Sequence, residues 1–587
     1  MRILRREPPI NAILIPDISK ERGYAMTRAV LIMCLLSLVC AAAHAYTEKG
    51  WVKRDRVFPV TPAPKLSADL ANLVDNEYSD TEFRFALTVL QGLVAREGGQ
   101  IYIYQPTSWH SPEHLPMWVA NLEKKGYRFT PAEDPAALFK KYSRFYRGAV
   151  LYDDDLGSDP VHYYKLNALT LYCAENSLIP VSPALNSRLG LEVAEDTRGK
   201  YLTAASAMQW VREKMWDKAC KTALCHIHPL HMALRDYLVL HRILPIWIGA
   251  EMTPEEKDMC YDFIDETEAN SPVMGCWGGY GEQPAGWLNE PNLQRVCSQK
   301  GKYFIVTAGA PNLSFHAGLE FHKPDKPLNS PRQLTLDPSK VYICFNISDG
   351  DNIQYVETAL PGERWWQNPM RGRVPMGWTL NPVASELIPD VVEYYLETAT
   401  PSDGFICFPG IGLITPPLYG RDLYGDSEKL LDEYIRLSGK YMKKLGMTTV
   451  QFGDTSSVPL TRGDFDRWAR VLPWLTGILG DYGPAIGIAR SEAAYFVSRG
   501  VPVARAVYTS PAPTAEGADM SKLQAELIRQ QTPLMRPAFI HAAVINWYGS
   551  PETILKCVRA LGDDYVPVTP DELFDLMKQA RKLGLLE

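Results

Sequence analysis

The chain has 587 residues, of which 46% are hydrophobic and 22% charged, and its formal net charge is -7. Single cores stop growing at roughly 250–300 residues, so this length predicts two or more domains, and the composition is that of a folded soluble protein rather than a disordered one. The mild acidity, without a Lys/Arg block or a basic arm, excludes an electrostatic binder of nucleic acid.

The first element in chain order is Met26, Thr27 and Arg28, followed by an apolar run from Ala29 to Val39 and then Ala43, His44 and Ala45. A short positive region, an apolar segment of this length and an Ala-x-Ala site predict a cleavable signal peptide over 26–45, with translation starting at Met26. The run is too short to span a bilayer. Val39 precedes Cys40 where a lipobox has a small residue, so the expectation is a secreted or periplasmic protein with no membrane insertion after cleavage. Of 11 Cys, Cys34 and Cys40 belong to this segment, and 11 - 2 leaves 9. Cys344 and Cys407 sit in apolar strand runs and read as buried, and Cys220 and Cys225 could close a small loop in an oxidising compartment, though nine Cys in so long a chain make no disulfide scaffold.

Residues 46–330 alternate apolar β runs with helical segments. A helix is predicted over Thr81–Glu97, stopped by Gly98 and Gly99. Strands are predicted at Gln100–Tyr104, Gly148–Tyr152, Leu178–Val181, Thr222–Ile227, Ile243–Ile248, Pro272–Trp277 and Tyr303–Val306. This alternation predicts two or three small α/β subdomains with parallel sheets. The Pro- and Lys-containing stretch Gly318–Pro338 reads as a linker.

Residues 331–587 are more regular. Strand-like runs at Val341–Ile347, Val374–Thr379, Gly404–Phe408, Thr448–Phe452, Trp474–Leu479, Val501–Val507, Pro537–Asn546 and Asp564–Val568 are each followed by a plausible helix. Eight βα units in roughly 250 residues predict a (β/α)8-barrel-like domain, whose chemistry belongs at the carboxyl ends of the strands. Those ends carry Asp349, Asp351 and Asn352, then Asn381, then Gly410 and Gly412, then Asp454, then Asp481, and last Asn546 and Trp547. Carboxylates, amides and aromatics on one rim suit a sugar site, because cleaving a glycosidic bond takes two carboxyls about 5–9.5 Å apart.

Structural roles compete for the same residues. Ser348 or Asp349 can cap the following helix. Asp351 in an Asp-x-Asp pattern suggests a cation, but the calcium-loop pattern would end on a glutamate where Leu360 stands. His226, His228 and His231 have the look of zinc ligands but read as structural, and His541 alone cannot build a histidine-based metal site in the C-terminal half. No metal or cofactor is expected. Trp365 and Trp366 suit either a sugar-stacking platform or buried packing, and Asp403, ahead of its strand, reads as structural.

Three runs also carry a family likeness: S-D-G-D-N-I-Q at Ser348–Gln354, G-W-T-L-N-P at Gly377–Pro382 and D-G-F-I-C-F-P-G-I-G at Asp403–Gly412. They resemble the GxGYxYP putative glycoside hydrolases. Upstream, L-Q-G-L-V-A-R at Leu90–Arg96, L-R-D-Y at Leu234–Tyr237 and N-L-S-F-H at Asn312–His316 are similar to the N-terminal domains that accompany them. The resemblance implies an exported carbohydrate-processing protein. At the name-giving motif this chain reads Gly410, Ile411, Gly412, Leu413, Ile414, Thr415 and Pro416, which keeps both glycines and the proline and replaces both tyrosines.

Together these readings predict a glycoside hydrolase acting on a poly- or oligosaccharide. Asp349 or Asp351 would be one catalytic carboxyl and Asp454 or Asp481 the other, with Asn352, Trp378, Gly410, Gly412 and Trp547 shaping the pocket. The alternative is a secreted carbohydrate-binding protein without turnover, motivated by the replaced tyrosines.

Overall fold

The computed structural model of the protein describes residues 49–74, 77, 79–105, 115–153, 160–275, 288–325, 328–329, 331–453, 458–481, 494–511 and 519–586. The expected signal segment over 26–45 lies outside the described residues. Residues 50–587 form one compact unit.

Three parallel sheets come first. Strands β1 (Ser67–Asn72), β2 (Ile101–Tyr104) and β3 (Arg128–Pro131) are ordered β2-β1-β3, and β4 (Gly148–Leu151), β5 (Leu178–Val181) and β6 (Val193–Asp196) are ordered β5-β4-β6. Strands β7 (Leu224–His226), β8 (Pro245–Ile246), β9 (Pro272–Gly275) and β10 (Tyr303–Val306) follow in the order β10-β9-β7-β8. The buried strands β4, at the centre of its sheet, and β5, at its edge, are apolar throughout and stand out in the sequence. The edge strands β3 and β6 are largely exposed, carry polar residues and do not.

Cys220 and Cys225, which could have closed a small loop, are not bonded to each other. Cys225 is buried within β7, while the Cys220 sulfur lies 3.3 Å from the Thr222 hydroxyl. Extended chain, at about 3.3 Å per residue, carries the two sulfurs out of bonding reach. His226 is buried, with its ring 4.9 Å from Trp247, and the His228 ring is 5.1 Å from the same indole. Burial pushes His228 down to about 4 and His231 down to about 3, and the Arg235 charge pushes both the same way.

The barrel strands are β11 (Val341–Ile347), β12 (Met376–Leu380), β13 (Asp403–Cys407), β14 (Thr449–Phe452), β15 (Gly477–Gly480), β16 (Tyr495–Ser498), β17 (Val501–Thr509), β18 (Ala538–Val544) and β19 (Tyr565–Pro567). Seven of them close a parallel ring in the order β11-β12-β13-β14-β15-β17-β18, and β18 returns to β11. Strand β16 is an antiparallel appendage of β17. All seven residues of β11 are buried and pair in register with β18. Val341, Ile343, Phe345 and Ile347 face the surrounding helices, where each buried side chain contributes about 1.5–3 kcal/mol, while Tyr342 and Cys344 face inward.

The eighth expected strand, β19, is not an equal member of the ring. It pairs only with Val341–Ile343 of β11, and β12 pairs directly with Asn346 and Ile347 further along the same edge. The chain turns at Pro567, and Thr569 opens a capping box for the Pro570–Lys582 helix. That helix lies across the amino end of the barrel. Pro570 meets the backbone at Gly377 and Gly404, and the Phe574 ring occupies the space a side chain would need at Gly477. The amino end is thereby filled, which leaves the carboxyl end for chemistry.

The segment expected as a linker is tied to this amino end. Asn329 exchanges hydrogen bonds with the Phe405 backbone, and Arg332 pairs with Glu572 at 2.8 Å. Further ties join the upstream sheets to the barrel helices: Tyr102 meets His316 at 3.0 Å, and His316 meets Asp390 at 2.8 Å. Among the described residues, no helix is long and apolar enough to cross a membrane.

Candidate active site

The turn leaving β11 is built so that two carboxyls stay free of structural duty. Asp349 has φ +67°, in the left-handed region that aspartate tolerates better than most residues. Gly350 follows, its amide donating to the Thr379 hydroxyl at 2.9 Å and its carbonyl accepting from Asn381 at 2.7 Å. A Cβ at position 350 would lie 2.0 Å from the Thr379 carbonyl oxygen, so only glycine lets the turn sit against β12.

The left-handed step delays the helix start, and the N-cap of the Ile353–Thr358 helix is Asn352, whose side chain accepts from the Tyr355 amide at 3.0 Å. This corrects two expectations. Neither Ser348 nor Asp349 is the cap, and Asn352 does not reach toward a substrate.

Ser348 donates to Asp349 and accepts from the Asn546 amide at 3.1 Å, so the ends of β11 and β18 hold the Asp349 carboxylate in place. Asp351 is buried. Among the described residues, no Lys or Arg pairs with either aspartate. Burial pushes Asp349 up to about 6, against a lowering contribution from the Ser348 hydroxyl. Burial also pushes Asp351 well above the usual carboxylate range, and the charges of Asp349 and Glu290 push it further.

Glu290 was not visible as a site residue in the sequence. It opens the Glu290–Gln299 helix, which leads into β10, and burial followed by the Asp349 charge pushes it up to about 8. Three carboxyls therefore act on one another at the end of β11. Beside them, Tyr355 feels the Asp349 charge and meets the buried Asn546 side chain, and the Trp547 ring stands 5.7 Å from the Tyr355 ring and is 37% exposed.

The other expected site residues fall elsewhere. Asp481 is on the rim after β15, but it and Arg505 are each 2% exposed and form a two-pronged ion pair at 2.8 and 3.2 Å. A carboxylate held this way is committed to its ion pair and is not free to work on a substrate. Asp454 lies outside the described residues. Trp378 is buried on the outer face of β12, its indole donating to Asp403 at 2.8 Å, so it does not line a pocket. Trp365 and Trp366 pack around it, with ring centroids at 6.1 and 5.1 Å, which decides their role as packing.

The Gly410–Pro416 loop faces inward. Side chains at Gly410 and Gly412 would collide with Tyr434 and Tyr303, and Leu413 pairs its backbone with Phe304 of β10 at 2.8 and 3.0 Å. Gln294 donates to the Ile414 carbonyl at 2.8 Å, and Ser298 accepts from the Thr415 amide at 2.8 Å. The two glycines are thus the close-packing hinge of a clasp, and not the substrate contacts that the sequence suggested. Leu413 is 1% exposed. Replacing it by tyrosine adds volume to a filled core and is expected to cost about 1–3 kcal/mol, read as a lowered midpoint in chemical denaturation.

Residues 339–578 match the model of the GxGYxYP putative glycoside hydrolase C-terminal domain, and residues 221–318 match the model of the GxGYxYP third domain. The chain belongs to the GxGYxYP family. The third-domain match contains β7–β10 and the Glu290–Gln299 helix, and the C-terminal match contains the ring with Asp349 and Asp351, so the three carboxyls come from two domains of the GxGYxYP family. A crystal structure of a putative hydrolase from Bacteroides thetaiotaomicron is similar at 18% identity with a TM-score of 0.72, over 90% of this chain and 98% of that one. At that identity the likeness concerns the fold. No curated protein matches the chain.

Proposed function

We propose that this GxGYxYP protein is an exported glycoside hydrolase that cleaves a poly- or oligosaccharide at the carboxyl end of the barrel. The observation that carries the reading is the Asp349 carboxyl, raised to about 6, free of cation pairing and of capping duty, beside a half-exposed indole. A carboxyl of this kind is ionised at neutral pH and available to a sugar carbon or to water, while an aromatic face alongside suits the apolar face of a pyranose.

The non-catalytic alternative loses its motive, since Leu413 and Thr415 are interior and their identities do not bear on a sugar contact. The test is digestion of a glycan panel by the purified mature chain, with new reducing ends as the readout. Release from at least one glycan supports the reading, and saturable binding without release from any would replace it with the binding protein.

Trp547→Ala is expected to raise KM up to about tenfold, the loss of about 0.5–1.5 kcal/mol of aromatic contact, with kcat far less affected. Export is tested by sequencing the amino terminus of the protein recovered outside the cytoplasm, with Tyr46 expected as its first residue.

A further inference from the structure

Among the described residues, the barrel rim alone does not supply a well-placed proton donor. Asp351 belongs to the same tight turn as Asp349, and two side chains on one turn approach a substrate from the same side. A glycosidic bond needs its two carboxyls on opposite flanks. Asp481 is committed to Arg505.

Glu290 arrives from a different direction. Its helix is fixed one and two turns downstream by Gln294 and Ser298, which hold the Gly410–Pro416 loop at the end of β13, while the adjoining β10 bridges to Leu413 of the same loop. The clasp sets β10 and its helix against the barrel, the Gly309 amide after β10 donates to Gln354 of the helix after β11, and Glu290 and the two aspartates act on one another.

We infer that Glu290 is the general acid that protonates the leaving glycosidic oxygen, so that a side chain outside the barrel completes the site. The inference rests on the glycosidase reading and adds a role to it. In the step, the proton on Glu290 passes to the glycosidic oxygen, which departs with the electron pair of its bond to C1. C1 takes the oxygen of a water molecule, and the water's proton ends on the carboxyl cluster.

The charge state agrees with this assignment. A helix amino terminus favours an ionised glutamate, but burial and the Asp349 charge outweigh it and push Glu290 up to about 8. The groups facing the pair are Asp351 from the same turn and Tyr355 from the following helix, with Arg364 acting on Tyr355. The rate is therefore expected to rise as pH passes about 6, where Asp349 ionises, and to fall beyond about 8, where Glu290 loses its proton.

Glu290→Gln tests this on paired substrates, an alkyl glycoside and a dinitrophenyl glycoside of whichever sugar the wild-type protein cleaves. The expected result is a drop in kcat/KM of about 10²–10⁴ on the alkyl glycoside, a much smaller drop on the aryl one, whose leaving group needs no proton, and loss of the basic limb. Equal drops on both substrates, or a basic limb that survives, would overturn the assignment while leaving the hydrolase reading intact. A wild-type protein that cleaves nothing would remove both. Unchanged circular dichroism and melting of Glu290→Gln separate a chemical loss from a misfolded variant.

Discussion

Asp349→Asn is expected to lower glycan cleavage by about 10³-fold or more while leaving the fold and sugar binding in place. The substitution keeps the shape of the side chain and an oxygen for the Ser348 hydroxyl. What it removes is the carboxylate that a glycosidase needs as nucleophile or base, and removal of one such group typically costs 10²–10⁴ in rate, with about 10³ as the centre. Because burial already disfavours the charge at this position, the neutral amide is tolerated and is expected to preserve or raise the melting temperature. Activity lost together with a sharply lowered melting temperature would contradict this separation of roles.

Arg505→Met is expected to destabilise the protein by about 3–5 kcal/mol, the largest single stability effect we foresee. Asp481 and Arg505 are both buried, and removing the cation leaves the carboxylate in the interior without its ion-pair partner. Adding Asp481→Asn to Arg505→Met should recover much of the loss, because the stranded charge disappears as well. Urea denaturation of the single and double variants measures both numbers. A single variant as stable as wild type would show that the pair is solvated rather than buried.

The main features of the barrel were legible because its strands are covered on both faces and read as apolar runs. Each of the eight expected runs overlaps an observed strand, although β19 shrinks to three residues and yields the closure of the ring to β12. No local pattern announces that exchange, which depends on the Pro570–Lys582 helix entering from below. The same burial on both faces concealed the place of Trp378. In a barrel strand, residues alternate between interior and helix layer, and Trp378 falls on the helix side, two residues short of the rim.

The acids after β11 were legible as chemistry, but the cap was not. A left-handed Asp349 shifts the helix start to Asn352, and this shift frees both aspartates. Glu290 offered nothing beyond an ordinary opening, Asn289, Glu290 and Pro291, of the kind that starts many helices. Its relation to Asp349 exists only once β10 and the Gly410–Pro416 loop have paired.

The most direct measurement is a crystal structure of Asp349→Asn soaked with an oligosaccharide that the wild-type protein cleaves. The account predicts a sugar ring against Trp547, with the scissile oxygen between residue 349 and Glu290 at the carboxyl end of the barrel. An oligosaccharide bound anywhere else, with this rim empty, would contradict it.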